Sequence, residues 1–134
     1  MNDTVFGKII RGEIPATKVY EDEQFLAFLD ISPVSKGHTL LIPKEQYTWM
    51  HDVPDVLIAS IFVKAKELIT ALRAGIGCDY VQLGVVGNEV PHFHIHLIPR
   101  YLNETVTQSQ RPHVPYESPT EMNAFADKIR AGLQ

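Results

Sequence analysis

The sequence predicts an α+β fold, an antiparallel sheet of about five strands with one long helix and short terminal helices. Three observations predict it. Short apolar segments separated by turn residues come early, one long amphipathic segment lies between them and a second strand pair, and helical patterns stand at both ends of the chain.

The first helix is expected from about Thr4 to Arg11, with Asp3 as N-cap and Val5, Phe6, Ile9 and Ile10 as its apolar stripe. Gly12 and Pro15 end it. Strands follow at Thr17 to Tyr20, Phe25 to Leu29 and His38 to Ile42, and the polar turn Glu21 to Gln24 joins the first two into an antiparallel meander. Ser32-Pro33 and Lys36-Gly37 mark a loop that delivers His38 to the start of the third strand. The longest helix is expected from Pro54 to Ala74, because Ile58, Ile61, Ala65, Leu68 and Leu72 follow the 3, 4, 3, 4 spacing of a buried stripe. Pro54 suits its first turn and Gly75 its C-terminal cap. Two more strands, Tyr80 to Val86 and Phe93 to Pro99, bracket a turn at Gly87 to Glu89. From Asn103 to Pro119 the chain is rich in Asn, Thr, Gln, Ser and Pro, too polar and broken to bury much. A helix from about Thr120 to Leu133 closes the chain.

Composition narrows the function. A chain of 134 residues with 45% hydrophobic content supports one domain, residues 1–134, and is too short for two. Twelve basic residues against 16 acidic ones give a net charge of -4 with no block of like charge, which excludes a nucleic-acid-binding arm. The single cysteine, Cys78, excludes an internal disulfide and a cysteine-rich metal knuckle. No basic segment followed by an apolar h-region stands at the N-terminus, so the expected compartment is the cytoplasm. The longest apolar stretches, such as Val56 to Val63, are broken by Ser60 and fall far short of the ~20 residues that cross a bilayer.

Three of the six histidines fall within five residues, as His92, His94 and His96 in HFHIHLIPR. The intervening residues are apolar, so a strand's period of two puts the imidazoles on one face, with successive rings about 6.6 Å apart. Three readings fit the run alone. It is a surface strand that happens to be rich in histidine, or a metal site built from neutral imidazoles, or a centre for phosphoryl or nucleotidyl transfer. In the last, one ring attacks phosphorus while its neighbours donate hydrogen bonds to the phosphate oxygens.

The surrounding sequence resembles the histidine triad superfamily, and its Hint branch in particular. The resemblance is carried by GNEVPHFHIHLIPR, by DTVFGKIIRGEIPA at Asp3 to Ala16, by FLAFLDISPVSKGHTLLIPK at Phe25 to Lys44, and by the long helix between the blocks. It covers roughly Asp3 to Tyr101 in the family's order, and it implies a HIT-like fold. It also implies that His94 is the nucleophile, attacking the α-phosphorus of a purine nucleotide conjugate to form a nucleotidyl-histidine that water then hydrolyses. The chemistry suits the residue, because neutral imidazole with a pKa near 6.5 is nucleophilic at pH 7 without a separate base. By the same resemblance His92 and His96 orient the ring and bind phosphate oxygens, and His38 joins them as a fourth imidazole. Asp30 accepts hydrogen bonds from the ribose hydroxyls, which suits an acceptor-only group. Val5, Phe6, Ile9, Phe28, Ile31 and Leu40 line the purine cleft. Read without the motif, these six are core positions and Asp30 is a turn residue before Ser32-Pro33.

The chain departs from the family at two places. Many members carry a CxxC near the N-terminus that contributes to a zinc site, whereas Thr4 and Gly7 occupy those positions here. No metal and no cofactor are therefore implied. Before the triad, Gly87-Asn88 replaces the usual Gly-Gln, and Glu89 stands where serine is frequent, at positions that normally assist the leaving group. A carboxylate there repels a polyanionic leaving group and better suits an amine. The resemblance thus implies a purine nucleoside phosphoramidase that splits AMP-linked amines. A dinucleoside polyphosphate hydrolase and a nucleotide-binding adaptor with incidental catalysis are the alternatives. It further implies a homodimer formed through the long helix and a sheet edge, for which Phe62, Val63 and Ile69 widen the helix's apolar side.

Overall fold

The computed structural model describes residues 4–86, 90–104 and 113–134. Helix α1 is Val5–Ile10. Asp3 lies outside the described residues, and Thr4 is the cap: its Oγ1 accepts the Gly7 N–H at 3.0 Å, satisfying a donor that the first helical turn leaves open.

Five strands follow, β1 Lys18–Glu21, β2 Phe25–Leu29, β3 Thr39–Pro43, β4 Tyr80–Gly84 and β5 Ile95–Arg100. They form one antiparallel sheet in the order β1-β2-β3-β5-β4. The turn before β2 closes on Asp22, whose Oδ1 accepts the N–H groups of Gln24 and Phe25, each at 2.7 Å. The meander is therefore fixed locally, by an Asx-type turn.

Helix α2 is Asp55–Ile76, and Pro54 sits just outside it as the N-cap residue, with an extended ψ of 145°. The C-cap is Gly77 rather than Gly75. Gly77 takes the left-handed conformation at φ 82°, and its N–H donates to the Arg73 carbonyl. Gly75 remains helical for a different reason. A Cβ there would come within 2.1 Å of the Lys128 carbonyl oxygen, on helix α3, Pro119–Gly132. Gly132 repeats the device in reverse, with the Ala71 carbonyl 2.4 Å from where its Cβ would stand. The two glycines let α2 and α3 meet backbone to backbone.

Alternation along the strands divides the sheet into two faces. Phe25, Ala27, Leu29, Leu41, Ile95 and Leu97 pack with Ile61, Ala65, Leu68 and Leu72 of α2 in the main core. On the other face Leu26, Phe28, Leu40 and Ile42 pack with Phe6 and Ile9 of α1. Farther across that second face, β4 and β5 present Gln82, Gly84, His96 and Ile98 to a cavity.

The histidine run enters the sheet later than its alternation predicts. β5 begins at Ile95, so Phe93 and His94 precede it. Leu41 pairs with Ile95, and two more steps of that register would oppose Phe93 to Pro43, which has no N–H to give. The chain turns away instead. His92 N–H donates to the Val90 carbonyl at 2.7 Å, and Phe93 N–H donates to the Tyr47 carbonyl.

Candidate active site

The four imidazoles are held in one defined pattern of protons by partners that only donate or only accept. His38, just before β3, is 2% exposed, and its Nδ1 accepts the Val34 N–H at 3.1 Å. A nitrogen that accepts a backbone N–H carries no proton, so the proton of the neutral His38 ring is on Nε2. That nitrogen lies 3.0 Å from His96 Nδ1. His38 therefore donates to His96, which places the proton of a neutral His96 on Nε2. His94 is fixed from the other side, because its Nδ1 is 2.7 Å from the His92 carbonyl oxygen, which only accepts. Its Nδ1 carries a proton, and in the neutral ring Nε2 keeps the lone pair. His92 Nε2 likewise donates to the Pro43 carbonyl at 2.7 Å, meeting the acceptor where the strand ladder stops.

Burial favours the neutral form of His38 and His92. Burial first, then the like charges of His96, His113 and His94, push the His38 pKa down to about 3. Burial also lowers His92, against the opposing effect of its bond to Pro43. The His94 and His96 ring centroids are 4.9 Å apart, closer than two successive same-face rings of a strand, because His94 stands outside the pleat.

Two cavities adjoin the cluster. The larger, about 340 Å³, is lined by Asp30, Val34, His38, Gln82, Gly84, Val86, His94, His96, Ile98 and His113. The smaller, about 180 Å³ and mostly apolar, is lined by Val5, Phe6, Ile9, Phe28, Ile31 and Leu40, together with Ile14, Pro15, Ala16, Leu29 and Asp30. All six residues expected in a base cleft are in one pocket. Core packing accounts for four of them, but Val5 is 42% and Ile31 81% exposed, which suits a rim and not a core.

Asp30 belongs to both cavities. Its Oδ1 accepts the Ser32 N–H at 2.9 Å, and its Oδ2 is 3.8 Å from His38 Nε2, so the turn residue and the site residue are the same carboxylate. Phe6 is a second link. Its ring meets His94 edge-on at 4.9 Å and Phe28 at 5.5 Å, tying the apolar pocket to the imidazole beside it. His92, 6.0 Å from the Phe6 ring, completes the row.

Sequence reasoning missed Val34, Gln82, Gly84, Val86, Ile98 and His113 as cavity residues. His113 comes from the segment expected to bury little, and the end of that segment packs closely. His113 Nδ1 bonds the Ser32 carbonyl, Val114 N–H donates to Pro33 O at 2.8 Å, and the Tyr116 hydroxyl accepts the Gly37 N–H at 2.9 Å. Tyr116 also stacks edge-on against Phe125 of α3. No local signal in the sequence marks this docking; it depends on a loop some 80 positions earlier. Asn88 and Glu89 lie outside the described residues.

The positions of the family's CxxC do not fit a zinc ion. The Thr4 hydroxyl caps α1, and Gly7 brings no side chain. Among the described residues the group with ligand spacing is Asp30, His38 and His96, whose donor atoms lie within 4.8 Å of one another. There the two facing imidazole nitrogens bond each other.

Strand order and the clustered imidazoles leading into β5 define a class, the α+β proteins of histidine triad type. The HIT domain family matches residues 11–103, and the chain belongs to that family. It is 35% identical over 131 residues to adenosine 5'-monophosphoramidase hnt1 of Schizosaccharomyces pombe, covering 97% of this chain and 98% of that one. Adenylylsulfatase HINT3 of Arabidopsis thaliana is 41% identical over 104 residues, 74% of this chain and 53% of that protein. The crystal structure of a Hit-like protein from Bartonella henselae superimposes with a TM-score of 0.86 at 30% identity, covering 99% of this chain and 98% of that one. No helix among the described residues is long and apolar enough to cross a membrane.

Proposed function

We propose that this protein is a nucleotide hydrolase that cleaves the P–N bond of AMP-linked amines, with His94 as the nucleophile. The observation that carries the reading is the bond from His94 Nδ1–H to the His92 carbonyl, which leaves the Nε2 lone pair on a ring that lines the larger cavity. The purine is read into the apolar pocket, the ribose hydroxyls onto Asp30 where the two cavities join, and the α-phosphate against His94 and His96. Kinship to proteins named adenosine 5'-monophosphoramidase and adenylylsulfatase supports the reaction class.

In the first step Nε2 of His94 forms a bond to phosphorus and the P–N bond to the amine breaks. The amine leaves with the electron pair and takes a proton from water. Charge that develops on the His94 ring is stabilised through Nδ1–H and the His92 carbonyl, while His96 Nε2–H donates to a phosphate oxygen. In the second step water adds to phosphorus, the P–Nε2 bond breaks, and a proton returns to solvent. The products are AMP and the free amine, and neutral His94 is restored. His38 keeps His96 in the donating tautomer without touching substrate.

An amine is favoured as leaving group over a polyphosphate. Among the described residues lining the larger cavity there is no Lys or Arg, and Asp30 contributes a negative charge. Such a wall offers little to a polyanion. The protein is further read as a homodimer, since Val56 is 81% and Val63 60% exposed on α2 and β4 leaves one edge of the sheet open. The test is turnover of adenosine 5'-phosphoramidate against diadenosine tetraphosphate, with and without a chelator. Preference for the amidate, unaffected by the chelator and abolished in His94→Gly, supports the reading. Preference for the tetraphosphate refutes the choice of leaving group, binding of AMP without turnover of either indicates an adaptor, and loss on chelation that zinc restores indicates a metal site.

A further inference from the structure

Gly84 stands in β4 directly across from His96 of β5. Its φ is not positive, so the backbone there accepts any residue, and a Cβ added to it would meet no atom of the described residues within 4 Å. Glycine weakens a strand and often marks a place where something else approaches closely. No contact among the described residues requires it here. The space it leaves is part of the larger cavity, alongside His96.

His113 lines the same cavity, held by the bond from its Nδ1 to the Ser32 carbonyl. A carbonyl only accepts, so the proton is on Nδ1 and Nε2 of the neutral ring is an acceptor. Val34 and Ile98 supply apolar lining to that cavity. The mechanism proposed above uses neither Gly84 nor His113.

We propose that Gly84 and His113 frame a subsite for the leaving group, one that takes amines with an apolar body ending in a hydrogen-bond donor. This rests on the reading of His94 as nucleophile in P–N cleavage. The apolar body lies over Gly84 and Ile98, and the donor reaches His113 Nε2. The subsite makes this protein selective among amines, which the phosphate-binding imidazoles alone do not.

Three adenosine 5'-phosphoramidates test the proposal, one unsubstituted, one carrying phenethylamine and one carrying tyramine, which adds only a phenol O–H. The wild-type protein is expected to favour tyramine over phenethylamine in kcat/KM. His113→Ala is expected to abolish that preference, and Gly84→Leu to lower the ratio of either substituted amidate to the unsubstituted one about tenfold. The proposal is overturned if the tyramine preference survives His113→Ala, or if Gly84→Leu leaves the ratios as they were. Absence of turnover of all three by the wild type, or turnover that persists in His94→Gly, refutes the parent reading and the subsite with it. Turnover that requires His94 but ignores the substituent refutes the subsite alone.

Discussion

His38 Nε2 donates to His96 Nδ1 across 3.0 Å, and Val34 N–H fixes the far side of the His38 ring at 3.1 Å. A backbone amide thereby sets which nitrogen of His96 is protonated, two rings away. His38 is neutral in this relay, as its burial requires. On the proposed reading it gives His38 a positioning role, distinct from contact with substrate.

His38→Phe keeps a ring of similar size and removes both nitrogens. The expected result is a fall in kcat of about tenfold or more with KM little changed, because the proposed donor to the phosphate is lost and the pocket is kept. His38→Gln, which still presents an N–H, should recover part of the rate. A change confined to KM would contradict the relay.

The same residue sets an acid limit on stability. Unfolded, the imidazole binds a proton below about pH 6.5. Folded, it does so only near pH 3. Between those values the unfolded chain binds more protons, so stability rises with pH across the window and is lost as pH falls, by up to about 1.4 kcal/mol per unit. Urea midpoints at pH 4, 5 and 7 should show a steeper decline in the wild type than in His38→Gln. Parallel declines would place the acid sensitivity elsewhere.

Gly75→Ala raises helix propensity yet should destabilise. Its Cβ would meet the Lys128 carbonyl at 2.1 Å, backbone that α3 cannot move without leaving the core. A loss of about 1–3 kcal/mol in chemical denaturation is expected. A gain would mean that the contact between α2 and α3 is looser than described.

Arg100 is 4% exposed, and its Nη2 pairs with Glu104 at 3.0 Å, while Nε and Nη1 have no partner among the described residues. Truncating the carboxylate would strand a buried guanidinium. Glu104→Ala should cost about 3–5 kcal/mol, read from the shift in urea midpoint. A shift under 1 kcal/mol would show that water reaches Arg100 once Glu104 is gone.

Much of this architecture was legible in the chain. The period of α2 and the apolar alternation of β2 and β3 express contacts within each element, and those elements appear within a few residues of where the pattern puts them. What the pattern missed depends on other parts of the molecule. Gly75 stands where the apolar stripe of α2 ends and so reads as the cap, but α3 claims it as a contact and the cap falls to Gly77. The histidine alternation promised a strand from Phe93, but Pro43, 50 positions earlier, ends the pairing and accepts His92 instead. His113 had no local signature, since its place is set by Ser32 and by Tyr116 docking at Gly37. The apolar pocket was visible only through family resemblance, because Phe6, Ile9, Phe28 and Leu40 look like ordinary core until two cavities are seen to share Asp30.

The central claim is that His94 Nε2 becomes bonded to phosphorus. Rapid acid-free quench of the protein with adenosine 5'-phosphoramidate, followed by intact mass, measures this directly. The account predicts a transient adduct with the mass of an adenylyl group, mapped to His94 and missing from His94→Gly. Full turnover with no adduct at any time, or an adduct on another residue, would contradict it.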